Sequence, residues 1–266
     1  MEFTTYYGMD YNPFTKEISS NSLFESNDYL QMKNRINFLI ENRGIGLFMG
    51  DPGMGKTSSL RSVINSLDKS RYKVIYICMT TITPLDFYKT LNDALGLEDN
   101  SRKAVLFKQI QEEIAKLYKD HINVIIVIDE VQFLSKKVLQ EFTMLMNFAF
   151  DSEDYCTLIL VGQPIIEKTL RAKALEPFRQ RINMHYTLTG FTVDEVKKYV
   201  EDRLELVHCS KELFTPESYH TLHSLMQGST RVLNAIITKS LIIGMNHECR
   251  PINTDVIMEA NEEARV

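Results

Sequence analysis

The chain has little with which to cross a membrane, staple itself covalently or attract nucleic acid by bulk charge. Its 266 residues include 4 cysteines, at positions 78, 156, 209 and 249. No two of them share a C-x-x-C spacing and none has a histidine at a zinc-like interval, so structural zinc is not expected. Cys78 and Cys156 fall in or beside strand patterns and read as small buried residues of a reducing compartment. No apolar run approaches the length of a bilayer span, and the opening MEFTTYYGMDYNPF has no basic region followed by an apolar core. A soluble, cytoplasmic protein without a membrane partner is the expectation. A net charge of −5 leaves no global nucleic-acid signature, so any such site has to be a local patch, or one assembled across subunits.

What is present is specific. Gly50-Asp51-Pro52-Gly53-Met54-Gly55-Lys56-Thr57 fits G-x-x-x-x-G-K-[ST] at every fixed position and follows the apolar run Ile45 to Met49. Glycines at 50, 53 and 55 let the backbone turn its amides inward, forming an anion nest at the start of a helix. Lys56 can reach the β and γ phosphates, the Thr57 hydroxyl can ligate magnesium, and Ser58 continues the phosphate-side turn. The helical pattern Leu60, Val63, Ile64, Leu67 then supplies the required context. ATP and Mg2+ are the expected cofactors.

A second motif supports the first. Val124-Ile125-Ile126-Val127-Ile128-Asp129-Glu130 reads as a central parallel strand, buried on both faces, ending in two acids. Chemistry in such sheets collects outside the carboxyl ends of the strands. Asp129 is placed to hold the magnesium shell, and Glu130 to orient and deprotonate an attacking water. The competing role, capping the following helix, is outweighed by the phosphate loop upstream in the same chain.

With 44% apolar residues the chain can bury a large core. Strands are readable at Gly46 to Met49, Val74 to Cys78, Val124 to Asp129, Leu158 to Val161 and, more weakly, Met184 to Leu188. Helical periodicities alternate with them, notably Val105, Leu106, Ile110, Ile114 and Leu117, then Val138, Phe142, Leu145 and Met146. The fold class is therefore α/β: a parallel five-stranded sheet flanked by helices. After Thr189-Gly190 the pattern is helical only, over Asp194 to Val207, Pro216 to Met226, Arg231 to Met245 and from Thr254. That change divides an α/β domain, residues 1–190, from a small α-helical lid, residues 191–266.

Further polar residues fall at informative places. Gln163 follows the strand Leu158 to Val161 and reads either as a group positioning the attacking water or as an ordinary turn residue of Gly162-Gln163-Pro164. Arg179 and Arg181 precede the last strand, where a guanidinium could enter a neighbouring subunit's site or simply be solvated. Arg231 opens a lid helix after Gly228-Ser229-Thr230 and can reach back to the nucleotide.

Taken together these residues resemble the AAA+ ATPases, with GDPGMGKT as Walker A, VIIVIDE as Walker B, Gln163 at sensor 1, Arg179 and Arg181 in the arginine-finger region and GSTR as sensor 2. The opening YYGMDYNPF, the segment LFES and the strand LVGQP look like the ExeA-like and transposition-helper group, which includes target-selection ATPases of the MuB, TnsC and TniB type. This chain departs from the common pattern in having Gln at sensor 1 and two candidate finger arginines. The resemblance implies an adenine-side segment at Asn12, Pro13 and Phe14, for which hydrophobic anchoring of the N-terminus is the alternative. It also implies an ATP-dependent regulator of DNA transposition that assembles head to tail on duplex DNA, as a ring or helical filament, and recruits a transposase. Two readings compete: an ExeA-like secretion ATPase, which would be expected to continue into a membrane span, and a non-hydrolysing nucleotide switch. DNA contacts are expected around Thr80, Thr81 and Thr83 and around Ser101, Arg102 and Lys103, where hydroxyl and basic groups suit phosphates. Ser101 also reads as the N-cap of the following helix.

Overall fold

A computed structural model describes residues 2–15, 23–78, 82–148 and 153–264. Among them, five strands pair into one parallel sheet: β1 (Gly44–Met49), β2 (Tyr72–Ile77), β3 (Asn123–Ile128), β4 (Cys156–Gly162) and β5 (Ile182–Thr187). The spatial order is β2-β3-β4-β1-β5. Strands β1, β3 and β4 are buried along their whole length, the pattern a central parallel strand requires. The edge strand β5 alternates between half-buried and exposed residues.

This order positions the site. β4 lies between β1 and β3, with Met49 opposite Gly162 and Ile128 opposite Leu160. The segments leaving the carboxyl ends of β1, β3 and β4, which begin at Gly50, Asp129 and Gln163, therefore emerge side by side. Three stretches that are 34 or more positions apart along the chain become neighbours through strand pairing alone.

Two compact units can be distinguished. One comprises residues 31–50 and 56–188 and contains the sheet. Its core joins Leu47, Ile126, Ile128, Leu158 and Leu160 to helical residues Phe87, Leu106, Ile110, Ile114, Phe142 and Leu145. Helix Pro84–Leu95 starts on a reciprocal cap between Thr83 and Asp86, and helix Lys136–Leu145 starts on Ser135, whose hydroxyl accepts from the Val138 amide.

The other unit comprises residues 1–30, 51–55 and 189–266. Helices Val193–Glu205, Pro216–Met226, Thr230–Asn246 and Thr254–Ala264 surround a core of Val196, Leu222, Leu233, Ile236, Leu241 and Ile257. Tyr7, Met9 and Phe14 are buried in that same core. The grouping thus differs from a simple 1–190 and 191–266 division, because N-terminal aromatic groups are packed among the C-terminal helices. Asp28 of this unit accepts from the backbone amides of Thr189 at 2.9 Å and Gly190 at 2.8 Å, fixing the turn where the helical segment begins.

Two expectations are corrected. Cys78 is exposed rather than buried, since it lies one residue beyond β2, whereas Cys156 is fully buried and its thiol is pushed up to about 12 by that burial. Ser101 does not cap helix Lys103–Lys119: Arg102 occupies the N-cap, and the Asn100 side chain accepts its amide proton at 2.9 Å.

Candidate nucleotide site

In the sheet-containing unit, helix Lys56–Asn65 begins with the two residues that the motif assigns to phosphate and metal. Lys56 is buried and its Nζ donates to the Gly50 carbonyl at 2.8 Å, so the ammonium is held at the head of the loop. Thr57 Oγ1 donates to Asp129 Oδ2 at 2.9 Å, bringing together two oxygens from segments 72 residues apart. Hydroxyl and carboxylate oxygens form the hard donor set that suits Mg2+. Among the described residues no group of three or more His, Cys, Asp or Glu side chains could cage a metal alone. An ion sharing Thr57 and Asp129 with phosphate oxygens fits that donor set better than an all-protein cage.

Tyr76 is a member that sequence reasoning missed. Its hydroxyl donates to the same Asp129 Oδ2 at 2.7 Å. Desolvation, followed by the hydrogen bond to Asp129, holds the phenol proton on well above the usual range. Nothing local in Tyr72–Ile77 distinguishes this tyrosine from a strand-forming aromatic; only the pairing of β2 with β3 brings it to Asp129.

Glu130 lies just past β3 with φ 55, the left-handed region that a non-glycine residue adopts at a cost of about 1–3 kcal/mol. Its amide donates to Asp129 Oδ1 at 2.9 Å, and its Oε2 accepts from Gln132 Nε2 at 2.6 Å. Gln132 Oε1 in turn accepts from the Gln163 amide at 3.0 Å. The structure therefore brings Gln163 to the site through its backbone and places its side chain half-buried at the end of β4. Gln132 was also missed by sequence reasoning. The available signal was a polar residue inside the apolar run Val131, Phe133, Leu134.

In the other unit, loop residues 51–55 turn through Gly53 at φ 86 and Gly55 at φ 90, conformations that only glycine adopts without strain. The Gly53 carbonyl accepts from the Thr230 amide at 3.0 Å, and a Cβ on Gly53 would lie 2.1 Å from Ser229 Oγ and 3.1 Å from Arg231 Cβ. Arg231 thus stands directly beside the glycine turn, with its side chain exposed. Asp51 and Pro52 are exposed and Met54 is half-buried. Asn12 Oδ1 accepts from the Phe14 amide at 3.0 Å, while Pro13 and Phe14 are buried. Phe14 is an anchor of this unit's core.

The two finger candidates separate. Arg181 donates to the Thr143 carbonyl at 3.2 Å and is half-buried. Arg179, on helix Glu176–Gln180, is exposed and borders a cavity of about 350 Å³ with Glu167, Arg171 and His185. Among the DNA candidates, Thr83 spends its hydroxyl on the Asp86 cap at 2.6 Å. Lys103 is paired to Glu141 at 2.7 Å, and that carboxylate, whose side chain is only 13% exposed, also accepts from Tyr88. Arg102 is exposed. Thr80 and Thr81 lie outside the described residues.

A parallel sheet with a phosphate loop after β1 and paired acids after β3 is a P-loop fold of the AAA+ type, equipped as an ATPase that works on ATP with Mg2+. Residues 39–170 match the AAA domain family. General secretion pathway protein A of Aeromonas hydrophila is 27% identical over 243 residues, covering 90% of this chain and 44% of the relative. The chain accordingly spans less than half of that relative's length. Among solved structures, Cdc6p from Pyrobaculum aerophilum aligns with a TM-score of 0.67 and 15% identity, over 94% of this chain and 70% of the other. Drosophila ORC bound to DNA aligns with a TM-score of 0.68 and 15% identity, over 96% of this chain and 64% of the other. At such identities the likeness is one of fold. No helix among the described residues is long and apolar enough to cross a membrane.

Proposed function

We propose that this ATPase is a regulator of DNA transposition that assembles head to tail on duplex DNA in its ATP-bound state, marks a target and stimulates a transposase. Hydrolysis then disassembles the polymer. The observation that carries the assembly step is the separation of the two arginines: Arg181 is tied to the Thr143 carbonyl, whereas Arg179 is exposed. An exposed guanidinium can stabilise phosphate charge in an adjoining subunit, and contacts of this heterologous kind build rings or filaments. The DNA part is supported by the fold shared with Drosophila ORC bound to DNA and with Aeropyrum pernix ORC1 in complex with DNA. The transposition part rests on the resemblance of YYGMDYNPF, LFES and LVGQP to target-selection ATPases.

Within a subunit, the amides of the loop 50–57 and Lys56 hold the triphosphate, and Arg231 responds to its presence. Thr57 and Asp129 would hold Mg2+, which when bound would neutralise the β and γ charge. Glu130 orients the attacking water and accepts its proton. A second reading is favoured by the 27% identity to General secretion pathway protein A: the same ATPase would serve a secretion assembly.

Imaging with duplex DNA and a slowly hydrolysed ATP analogue separates the two. Regular polymers on DNA that require the analogue support the transposition reading, and their absence removes it. Lys56→Ala is expected to lose triphosphate binding. Glu130→Gln should bind ATP without turning it over, so normal turnover in that variant would remove Glu130 as the base.

A further inference from the structure

Gln132 touches two elements of the hydrolytic site at once, Glu130 and the turn Gly162–Gln163. The Gln163 backbone N–H can only donate, so the side-chain atom 3.0 Å from it is the amide oxygen. The NH2 group must then face Glu130, where it donates to Oε2 at 2.6 Å and leaves Oε1 to interact elsewhere. The peptide that receives this clamp is also the one that anchors the phosphate loop. The Gly162 carbonyl accepts from the Gly50 amide at 3.2 Å, one residue before the amide bound by Gln132. Gly162 also passes so close to Gln132 that a Cβ there would meet Oε1 at 2.5 Å. The clamp is thus seated against backbone on one side and against Glu130 on the other. Glu130 itself sits in a left-handed conformation at the entrance of the short helical turn Val131–Phe133, a strained place from which an unrestrained carboxylate could point in several directions.

We infer that Gln132 is a positioning residue for ATP hydrolysis: its amide fixes the Glu130 carboxylate relative to the turn Gly162–Gln163, and hence relative to the start of the phosphate loop. The inference rests on the reading of Glu130 as the base. It goes beyond that reading by assigning the base's orientation to a side chain outside the recognised motifs. The clamp does no proton transfer itself. Its effect is confined to where the carboxylate points, so it acts on turnover and leaves nucleotide binding alone.

The test uses the full chain and compares ATP affinity, single-turnover phosphate release and melting temperature for Gln132→Ala, Gln132→Glu, Glu130→Gln and the Gln132→Ala/Glu130→Gln double variant. Misplacing a reacting group by about 1 Å costs about 10²-fold in rate, so Gln132→Ala should slow release by about 10- to 100-fold at unchanged ATP affinity. Gln132→Glu keeps the shape and still accepts from the Gln163 amide, but sets a carboxylate against Glu130. It should be slower than Gln132→Ala, because like charges this close repel and turn the base away. The double variant should bind ATP as tightly as Glu130→Gln alone, since the clamp works through Glu130 and on turnover only. A purely structural Gln132 would weaken ATP binding in both backgrounds. Parental release rates in both single Gln132 variants, alongside an inactive Glu130→Gln, overturn the clamp while leaving the base assignment standing. A parental rate in Glu130→Gln overturns the base assignment and the clamp together.

Discussion

Replacing Gly162 by alanine adds one methyl group at the junction of three functional segments, and the structure dictates the sign of its effect. In an ordinary strand the change would stabilise by about 0.4–1 kcal/mol, because alanine has less conformational entropy to lose than glycine. At position 162 the new Cβ would lie 2.5 Å from Gln132 Oε1, 2.8 Å from Val131 Cγ1 and 3.2 Å from the Val131 amide nitrogen. Only the first of these belongs to a flexible side chain, and Val131 is fully buried in the turn after Glu130. Overpacking of this kind costs about 1–3 kcal/mol and exceeds the entropy gain, leaving a net loss of about 1–2 kcal/mol. For a unit of this size that corresponds to a melting temperature lower by about 2–8 °C. Turnover should fall further than stability implies, by about 10- to 100-fold, because the easiest relief is to push Gln132 off Glu130. Thermal unfolding and single-turnover phosphate release on the same preparation provide the measurement. Combining Gly162→Ala with Gln132→Ala removes the tightest contact and should recover part of the lost stability without recovering turnover. If Gly162→Ala melts and hydrolyses like the parent, or if the double variant gains no stability, the close packing described around Gly162 is refuted.

The two arginines before β5 should behave differently. Arg179→Ala should leave ATP binding by single subunits intact and cut turnover of the assembled protein by about 10³-fold, the scale of an arginine supplied across an interface. Arg181→Ala should chiefly lose the bond to the Thr143 carbonyl, worth about 0.5–1.5 kcal/mol of stability. Mixing Arg179→Ala with Glu130→Gln, each inactive alone, should restore activity, and failure to do so counts against a site shared between subunits. At the start of helix Lys103–Lys119, Arg102→Ala should weaken ATP-dependent DNA binding and reduce the log–log salt slope by about 0.9, one phosphate contact, in anisotropy titrations across unrelated sequences. Lys103→Ala should alter the slope less, because its ammonium is already paired to Glu141. Equal slopes for both variants and the parent would remove this helix start from the DNA surface.

The sequence by itself determined the sheet and the chemistry carried by contiguous motifs. Asp129 and Glu130 end a run of β-branched residues, the pattern of a strand covered on both faces, as in a parallel sheet flanked by helices. Gly53 and Gly55 do adopt the positive φ values that the phosphate-loop pattern demands. These features are legible because the spacing of the residues is itself the physical requirement. Tertiary structure alone decided which distant side chains complete the site. Placing β4 between β1 and β3 brings the Gln163 amide to Gln132, and pairing β2 with β3 brings the Tyr76 hydroxyl to Asp129. Tyr76 carries no local mark, since a tyrosine in a strand is commonplace, and Gln132 shows only as a polar residue within an apolar run. The same holds for Lys103, whose charge looks available in the sequence but is neutralised by Glu141, 38 residues further along. Periodicity and spacing report on neighbours along the chain; hydrogen bonds and ion pairs between remote segments depend on strand order and helix packing, which no local pattern encodes.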